Sequence, residues 1–355
     1  MRFDQLPPEV IQYVAFSRWV PFSDLLNLIC ASEALFEKLT GDEYALTYLR
    51  SCTGLRSCIR KGWEKAVKIA LKWDTPTNVD FIISCSLKNT KIVKLLLADP
   101  RVDPAVYCKK AIVQAARKGH TETVKILLAD PRVDLPTNIN NAFCVAAFYG
   151  HTETVKILMA DPRVDPAAKD NYAIRMGSRY GNAETIKLLL TDPRVDPSVY
   201  FNEAIIAAVR NGHTETVKVL LADPRVDPAA NHQYAIKMAV DNGHTQIVKL
   251  LLAEPRVNPA AKDNYAIRSA ARLGNAETVK VLLADPRVDP TAYANQAIRM
   301  AARFGNAETV KLLLADPRVD PTANDNEAIR VASEKGQTKT VKLLLADPRV
   351  KALDS

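Results

Sequence analysis

The stretch LLLADPRVDP fills residues 95–104, and its core returns along the rest of the chain. The acidic residue opening each copy is Asp99, Asp130, Asp161, Asp192, Asp223, Glu254, Asp285, Asp316 or Asp347, and every step is 31 residues. A fixed period in this range is the signature of a solenoid, propeller or array. It changes what length means. A chain of 355 residues would ordinarily suggest two or three globular domains. In an array, each unit instead packs only on its neighbours.

Each unit carries two apolar patterns. In YAIRMGSRYGNAETIKLLL, Ala173, Ile174, Gly177 and Ser178 form a stripe of small residues at helical spacing. Gly181 interrupts it, and Ile186, Leu188, Leu189 and Leu190 form a second stripe. Two short helices with a glycine stop between them make an αα-hairpin. The glycine recurs at 119, 150, 181, 212, 243, 274, 305 and 336. The ADPRVDP word follows the second helix. Proline lacks an N–H and disfavours helical backbone in the preceding residue, so Pro100 and its equivalents end that helix. A second proline (Pro104, Pro166, Pro197) stiffens the exit. Val102 and its equivalents are expected to face inward. Asn171, Asn202, Asn264, Asn295 and Asn326 stand just before the next helix as N-cap candidates. Blocks also repeat across units: PAAKDNYAIR occurs at 166–175 and again at 259–268, three units apart. The fold class expected is an all-α solenoid of stacked helix-turn-helix units.

Residues 111–134, AIVQAARKGHTETVKILLADPRVD, resemble an ankyrin repeat, whose pattern reads TPLHLAAxxGHxEVVKLLLxxGADVNA. The resemblance covers roughly residues 79–350, with a degenerate unit around GWEKAVKIAL before it, and places the array at 79–355 after a degenerate first repeat at 51–78. It implies stacked helix pairs joined by short connector fingers, and protein binding on the concave face. YAIR and EAIR replace the Thr-Pro-Leu-His tetrad, so the Thr–His hydrogen bonding of the family cannot form. The 31-residue period implies fingers about two residues shorter than the family's.

Residues 1–50 carry no repeat. Leu6, Pro7, Glu9, Val10, Ile11, Asp24, Leu25, Leu26 and Leu28 resemble the F-box pattern, which implies binding to a Skp-type adaptor of cullin–RING ubiquitin ligases. The alternative is a helical cap over the apolar end of the array. Arrays of this period with an F-box-like segment resemble proteins of large DNA viruses and protists, which would imply a host target.

Other classes find little support. No basic-then-apolar leader and no apolar run of bilayer length are present, so a cytoplasmic or nuclear protein is expected. The six cysteines form no CxxC pair and read as small buried residues. The histidines His120, His151, His213 and His244 recur at stacked positions about 10 Å apart by helix-packing distance, too far for ligands that each sit ~2 Å from one zinc. They read as helix-junction residues. There is no Gly-rich phosphate loop and no nucleophile–base pair set apart from the periodic frame. The expectation is no enzyme, no cofactor, no metal and no small-molecule substrate.

The net charge of +8 is not spread evenly. The second helix with its connector, as in residues 120–134, sums to −1. The connector arginines sit between aspartates and make a poor phosphate track, which argues against nucleic acid despite the basic balance. The segments that lead into and include the first helix, from 104–119 through 321–336, together carry +9. The two residues before each glycine vary while the frame does not. They supply Arg117, Lys118, Phe148, Tyr149, Arg179, Tyr180, Arg210, Arg272, Arg303 and Phe304. By the ankyrin resemblance these line the groove, and Arg and aromatic residues are the types that dominate interfaces. Tyr107, Tyr200, Phe201, His232, Tyr234 and Tyr293 add to them from the loops. The function expected is capture of a protein through an acidic segment, coupled to a ligase through residues 1–50. The alternative is a scaffold or inhibitor without that coupling.

Overall fold

The computed structural model describes residues 55–71, 75–102, 104–132 and 138–351. The F-box-like residues Leu6 through Leu28 lie outside the described residues. Among the described residues every regular element is a helix, and there is no strand. The helices come in pairs, a first and a second helix per 31-residue unit. Ala168–Arg179 with Ala183–Leu189, and Ala292–Arg303 with Ala307–Ala315, are two such pairs. Before the first full unit, Leu55–Lys61 and Glu64–Ala70 also form two consecutive helices. After the last pair, Ala323–Glu334 and Thr338–Ala346, a short helix Pro348–Lys351 packs back on the final second helix.

Residue contacts group the chain into two compact units. One holds the described residues up to Ala146 together with Glu153–Val164; the other holds Ala147–Thr152 and the chain from Asp165 onward. The first unit is centred on Phe81, Ile92, Leu96, Ile112, Leu127 and Phe143, all fully buried. In the second unit each first helix packs on the next first helix, and each second helix on the next second helix. First helices meet through Ala–Ile and Ala–Ala pairs such as Ala266–Ile267, Ala270–Ala271, Ala297–Ile298 and Ala301–Ala302, all buried. Small side chains let the axes approach closely. Second helices bury a Val or Ile and one Leu, as Ile186 with Leu189 and Val279 with Leu282. Leu188 and Leu190 of the expected stripe are only half-buried. Full burial of such a side chain is worth about 1.5–3 kcal/mol.

The glycine stop is where the spacing places it. Gly181 has φ +77°, and a Cβ there would stand 2.6 Å from Nδ1 of His213 in the following repeat. Both the left-handed backbone and the close approach require glycine. The connector valines Val195, Val226, Val257, Val288 and Val319 are buried, as the sequence implies.

The asparagines are a correction. Asn171, Asn202, Asn264, Asn295 and Asn326 do not cap helices. Each closes a left-handed triplet, such as Lys169–Asn171 or Tyr293–Asn295, with φ between 50° and 64° throughout the second unit. Non-glycine residues pay about 1–2 kcal/mol each for this backbone. Hydrogen bonds across repeats offset it. Asn171 Oδ1 accepts from the N–H of Asp196 at 2.8 Å, and Asn202, Asn264 and Asn295 do the same for Asp227, Asp289 and Asp320. The N-cap positions of these helices are Ala167, Ser198, Ala229, Ala260, Thr291 and Thr322, with no side-chain cap. The preceding Asp or Asn instead forms an Asx turn, as Asp289 Oδ1 accepting from Thr291 N at 2.9 Å.

The ADPR word is a staple. Arg287 donates through Nε and Nη2 to the two oxygens of Asp285 at 3.0 and 2.6 Å. It also donates to the carbonyls of Val257 and Leu252 in the preceding repeat at 2.9 and 2.7 Å. Leu252 is the last residue of its helix, so the guanidinium satisfies a helix-end carbonyl and opposes the negative end of the dipole. Arg225, Arg318 and Arg349 repeat the arrangement.

Candidate protein-binding face

The residues before each glycine stand at the C-terminal ends of the first helices, and the next repeat holds the backbone of Phe148, Arg179, Arg210 and Arg272. His213 Nε2 donates to the carbonyl of Arg179 at 3.0 Å, and His244 Nε2 to that of Arg210 at 3.1 Å. Asn182 Nδ2 donates to the carbonyls of Ala147 and Phe148, and Asn306 Nδ2 to those of Ala271 and Arg272. The GH histidines are therefore junction residues, interchangeable with Asn because one N–H donor suffices. With the carbonyls tied down, the side chains at these positions project from a rigid backbone.

In the second unit, Arg179, Arg210, Arg272 and Arg303 are exposed, and their guanidiniums have no hydrogen bond or ion pair among the described residues. Aromatic rings accompany them. Tyr180 is 51% and Phe304 52% exposed. Phe148 is half-buried, with its ring 4.8 Å from Tyr149 and 4.3 Å from Tyr180. Tyr149 in turn stacks on His151. Edge-on contacts such as that of Phe148 with Tyr149 are a favoured geometry for aromatic pairs. The row is broken by acid at two places. Asp241 occupies the arginine position of its repeat and accepts from Tyr265 Oη at 3.0 Å and Ser269 Oγ at 2.7 Å. Glu334 occupies it in the last repeat, 3.6 Å from Arg330. Arg117 and Lys118 belong to the first unit and are exposed there, at the end of Pro104–Arg117.

A second row, one turn earlier on the first helices, did not stand out in the sequence. It is formed by Arg175, Lys237, Arg268 and Arg299 in the AIR or AIK word. Arg175 pairs with Glu203 at 2.9 Å and lies over the Tyr200 ring at 4.6 Å. Lys237 lies over Tyr234 and Tyr265, and Arg268 over Tyr293 at 4.5 Å. Arg268 also donates to the carbonyls of Lys262 and Asp263, and Arg299 to those of Tyr293 and Ala294. These arginines thus collect the carbonyls of the left-handed turns. Their repetition as AIR was the available signal, legible only as a departure from the TPLH tetrad. Of the loop aromatics, Tyr200, Phe201 and Tyr293 are exposed, Phe201 at 75%, and Tyr234 is half-buried. Tyr200 Oη donates to Asp170 at 2.8 Å and Tyr293 Oη to Asp263 at 3.1 Å, which orients both rings.

The described residues hold no cluster of three or more His, Cys, Asp or Glu side chains placed to bind a metal. No described helix is long and apolar enough to cross a membrane. Cys58, Cys85 and Cys144 are buried.

The family model for ankyrin repeats (3 copies) matches residues 81–170, 172–263 and 267–354, well over half of the chain. No curated protein matches the chain. Helix pairs at a fixed period, a left-handed glycine between them and a proline-bounded connector agree with that match throughout its length: the chain belongs to the ankyrin-repeat family.

Proposed function

We propose that this ankyrin-repeat chain captures a protein through an acidic segment, using the arginine and aromatic row of its second unit. Ankyrin repeats are protein-interaction scaffolds. The observation that carries the finer reading is the set of exposed guanidiniums at Arg179, Arg210, Arg272 and Arg303, the first three on backbone bonded to the next repeat, with exposed rings beside Arg179 and Arg303. Unpaired guanidiniums bind carboxylates by charge-assisted, bidentate hydrogen bonds. The rings of Phe148, Tyr180 and Phe304 supply apolar area. The connector arginines serve a different end, since their donors are spent on aspartates and carbonyls. Catalysis is left to partners.

The test is affinity capture from cell extract with the full chain and with Arg179→Glu/Arg272→Glu, scored by mass spectrometry. Loss of the captured protein from a double variant of unchanged helical content is the expected result. The same protein retained by that variant would remove these arginines from the binding site.

Coupling to a ubiquitin ligase is the further part of the proposal, and it rests on the F-box resemblance of residues 1–50 alone. A host target rests likewise on the resemblance to viral and protist arrays. A Skp-type adaptor should bind the full chain and fail to bind Leu25→Asp/Leu26→Asp. No binding to the full chain would leave a scaffold without ligase coupling.

A further inference from the structure

Six equivalent positions in successive repeats of the second unit read Arg179, Arg210, Asp241, Arg272, Arg303 and Glu334, each 31 residues after the last. The charges run plus, plus, minus, plus, plus, minus. The break at Asp241 is built rather than incidental. Its carboxylate is held by two neutral donors, Tyr265 Oη and Ser269 Oγ. The nearest cation on the same helix, Lys237, is drawn onto the Tyr234 and Tyr265 rings and forms no ion pair with it. Asp241 therefore presents an oriented, uncompensated negative charge in the middle of an arginine row.

Neighbouring helices pack with axes about 8–10 Å apart. An extended chain advances about 3.3 Å per residue. One repeat of the row thus matches about three residues of an extended partner. A helical partner, at about 1.5 Å per residue, would need its charges six or seven residues apart.

We infer that the partner segment is an extended peptide with carboxylates at every third residue and one Lys or Arg at the centre of the series, the cation seated on Asp241. This rests on the proposal that the row binds an acidic protein segment, and adds its conformation and its register. A uniformly acidic segment would place a carboxylate against Asp241, and like charges juxtaposed in an interface are disfavoured.

The experiment uses the full chain and the labelled peptides EGSEGSKGSEGSE and EGSEGSEGSEGSE, read by fluorescence anisotropy. Both charge patterns read the same in either direction, so peptide polarity does not enter. Generic attraction to a basic protein favours the second peptide, which carries more negative charge. The register inference requires the opposite, tighter binding of the lysine peptide by about tenfold. Asp241→Lys should invert the preference. Asp241→Asn, which keeps the hydroxyl contacts and removes the charge, should abolish it.

Equal or reversed preference in the parent chain overturns the register while leaving the acidic-segment reading standing, provided Arg179→Glu/Arg272→Glu weakens both peptides. Binding of neither peptide, or binding unchanged by the double variant, overturns both. Tighter binding of a helical peptide with glutamates at every seventh position overturns the extended conformation. Tighter binding of an eight-nucleotide single-stranded oligouridylate than of any peptide overturns the choice of partner.

Discussion

Arg287 holds three pieces of chain together: Asp285 beside it, Val257 in the preceding connector, and Leu252 at the end of the preceding helix. It is partly exposed, so its ion pair is screened, and the carbonyl bonds carry more of its contribution. Arg287→Ala should lower unfolding stability by about 1–2 kcal/mol, read as a lower urea midpoint. The repeat containing Glu254 offers the converse. The extra methylene leaves Glu254 with a single 3.5 Å contact to Arg256, where aspartate elsewhere makes two short ones. Glu254→Asp should therefore raise the urea midpoint; a lower one would contradict the staple. The arginine hydrogen bonds also hold the carboxyls of Asp99, Asp130, Asp161, Asp192, Asp223, Asp285, Asp316 and Asp347 below their ordinary value of 3.8, with burial opposing in part. A carboxyl lowered in the folded state contributes stability above its unfolded value, and loses it as pH falls through the folded one. Thermal midpoints should accordingly be level near neutrality and fall steeply below about pH 4, and Asp285→Asn should make that fall shallower.

At the scale of the element, a threonine ladder joins successive second helices. Thr245 and Thr278 share a hydrogen bond at 2.7 Å, Thr152 and Thr185 one at 2.8 Å. Where alanine stands at the first position, as in Ala183, Ala276 and Ala307, the buried hydroxyls of Thr216, Thr309 and Thr340 have no partner. Ala276→Thr should give Thr309 its bond and stabilise the chain by about 0.5–1.5 kcal/mol, whereas Thr245→Ala should orphan Thr278 and cost about 1–3 kcal/mol. Thermal unfolding of the two variants decides the sign of each. Much of this layer was legible in the sequence. The period, the glycine stop, the Ala–Ile and Val–Leu stripes and the buried connector valines follow from spacing within one repeat. The left-handed triplets were not legible, because Asn171 and its equivalents look like caps until the N–H of the next connector, 25 residues on, meets their side chains. The AIR row was hidden for the same reason. Arg175 acts on Glu203 and Tyr200 in the next repeat, and a single unit holds no sign of that. Of the candidate face, residue types and exposure could be read in advance; the fixed carbonyls and the oriented Asp241 could not.

For the whole molecule, stability rests on one set of arginines and the proposed recognition on another. Within the second unit, stability is assembled from like repeats, each bonded to its neighbours by Asp–Arg staples, Asn bridges and His or Asn junctions. The proposed recognition uses positions that those bonds leave free. The connector arginines have their donors occupied, and those before the glycines in the second unit do not. Arginine footprinting tests this division with an internal control. The full chain is treated with phenylglyoxal with and without the protein it captures, and the modified peptides are quantified by mass spectrometry. The partner should protect Arg179, Arg210, Arg272 and Arg303 and leave Arg225, Arg287 and Arg318 unchanged. Protection of the connector arginines, with the other four as reactive as before, would contradict it.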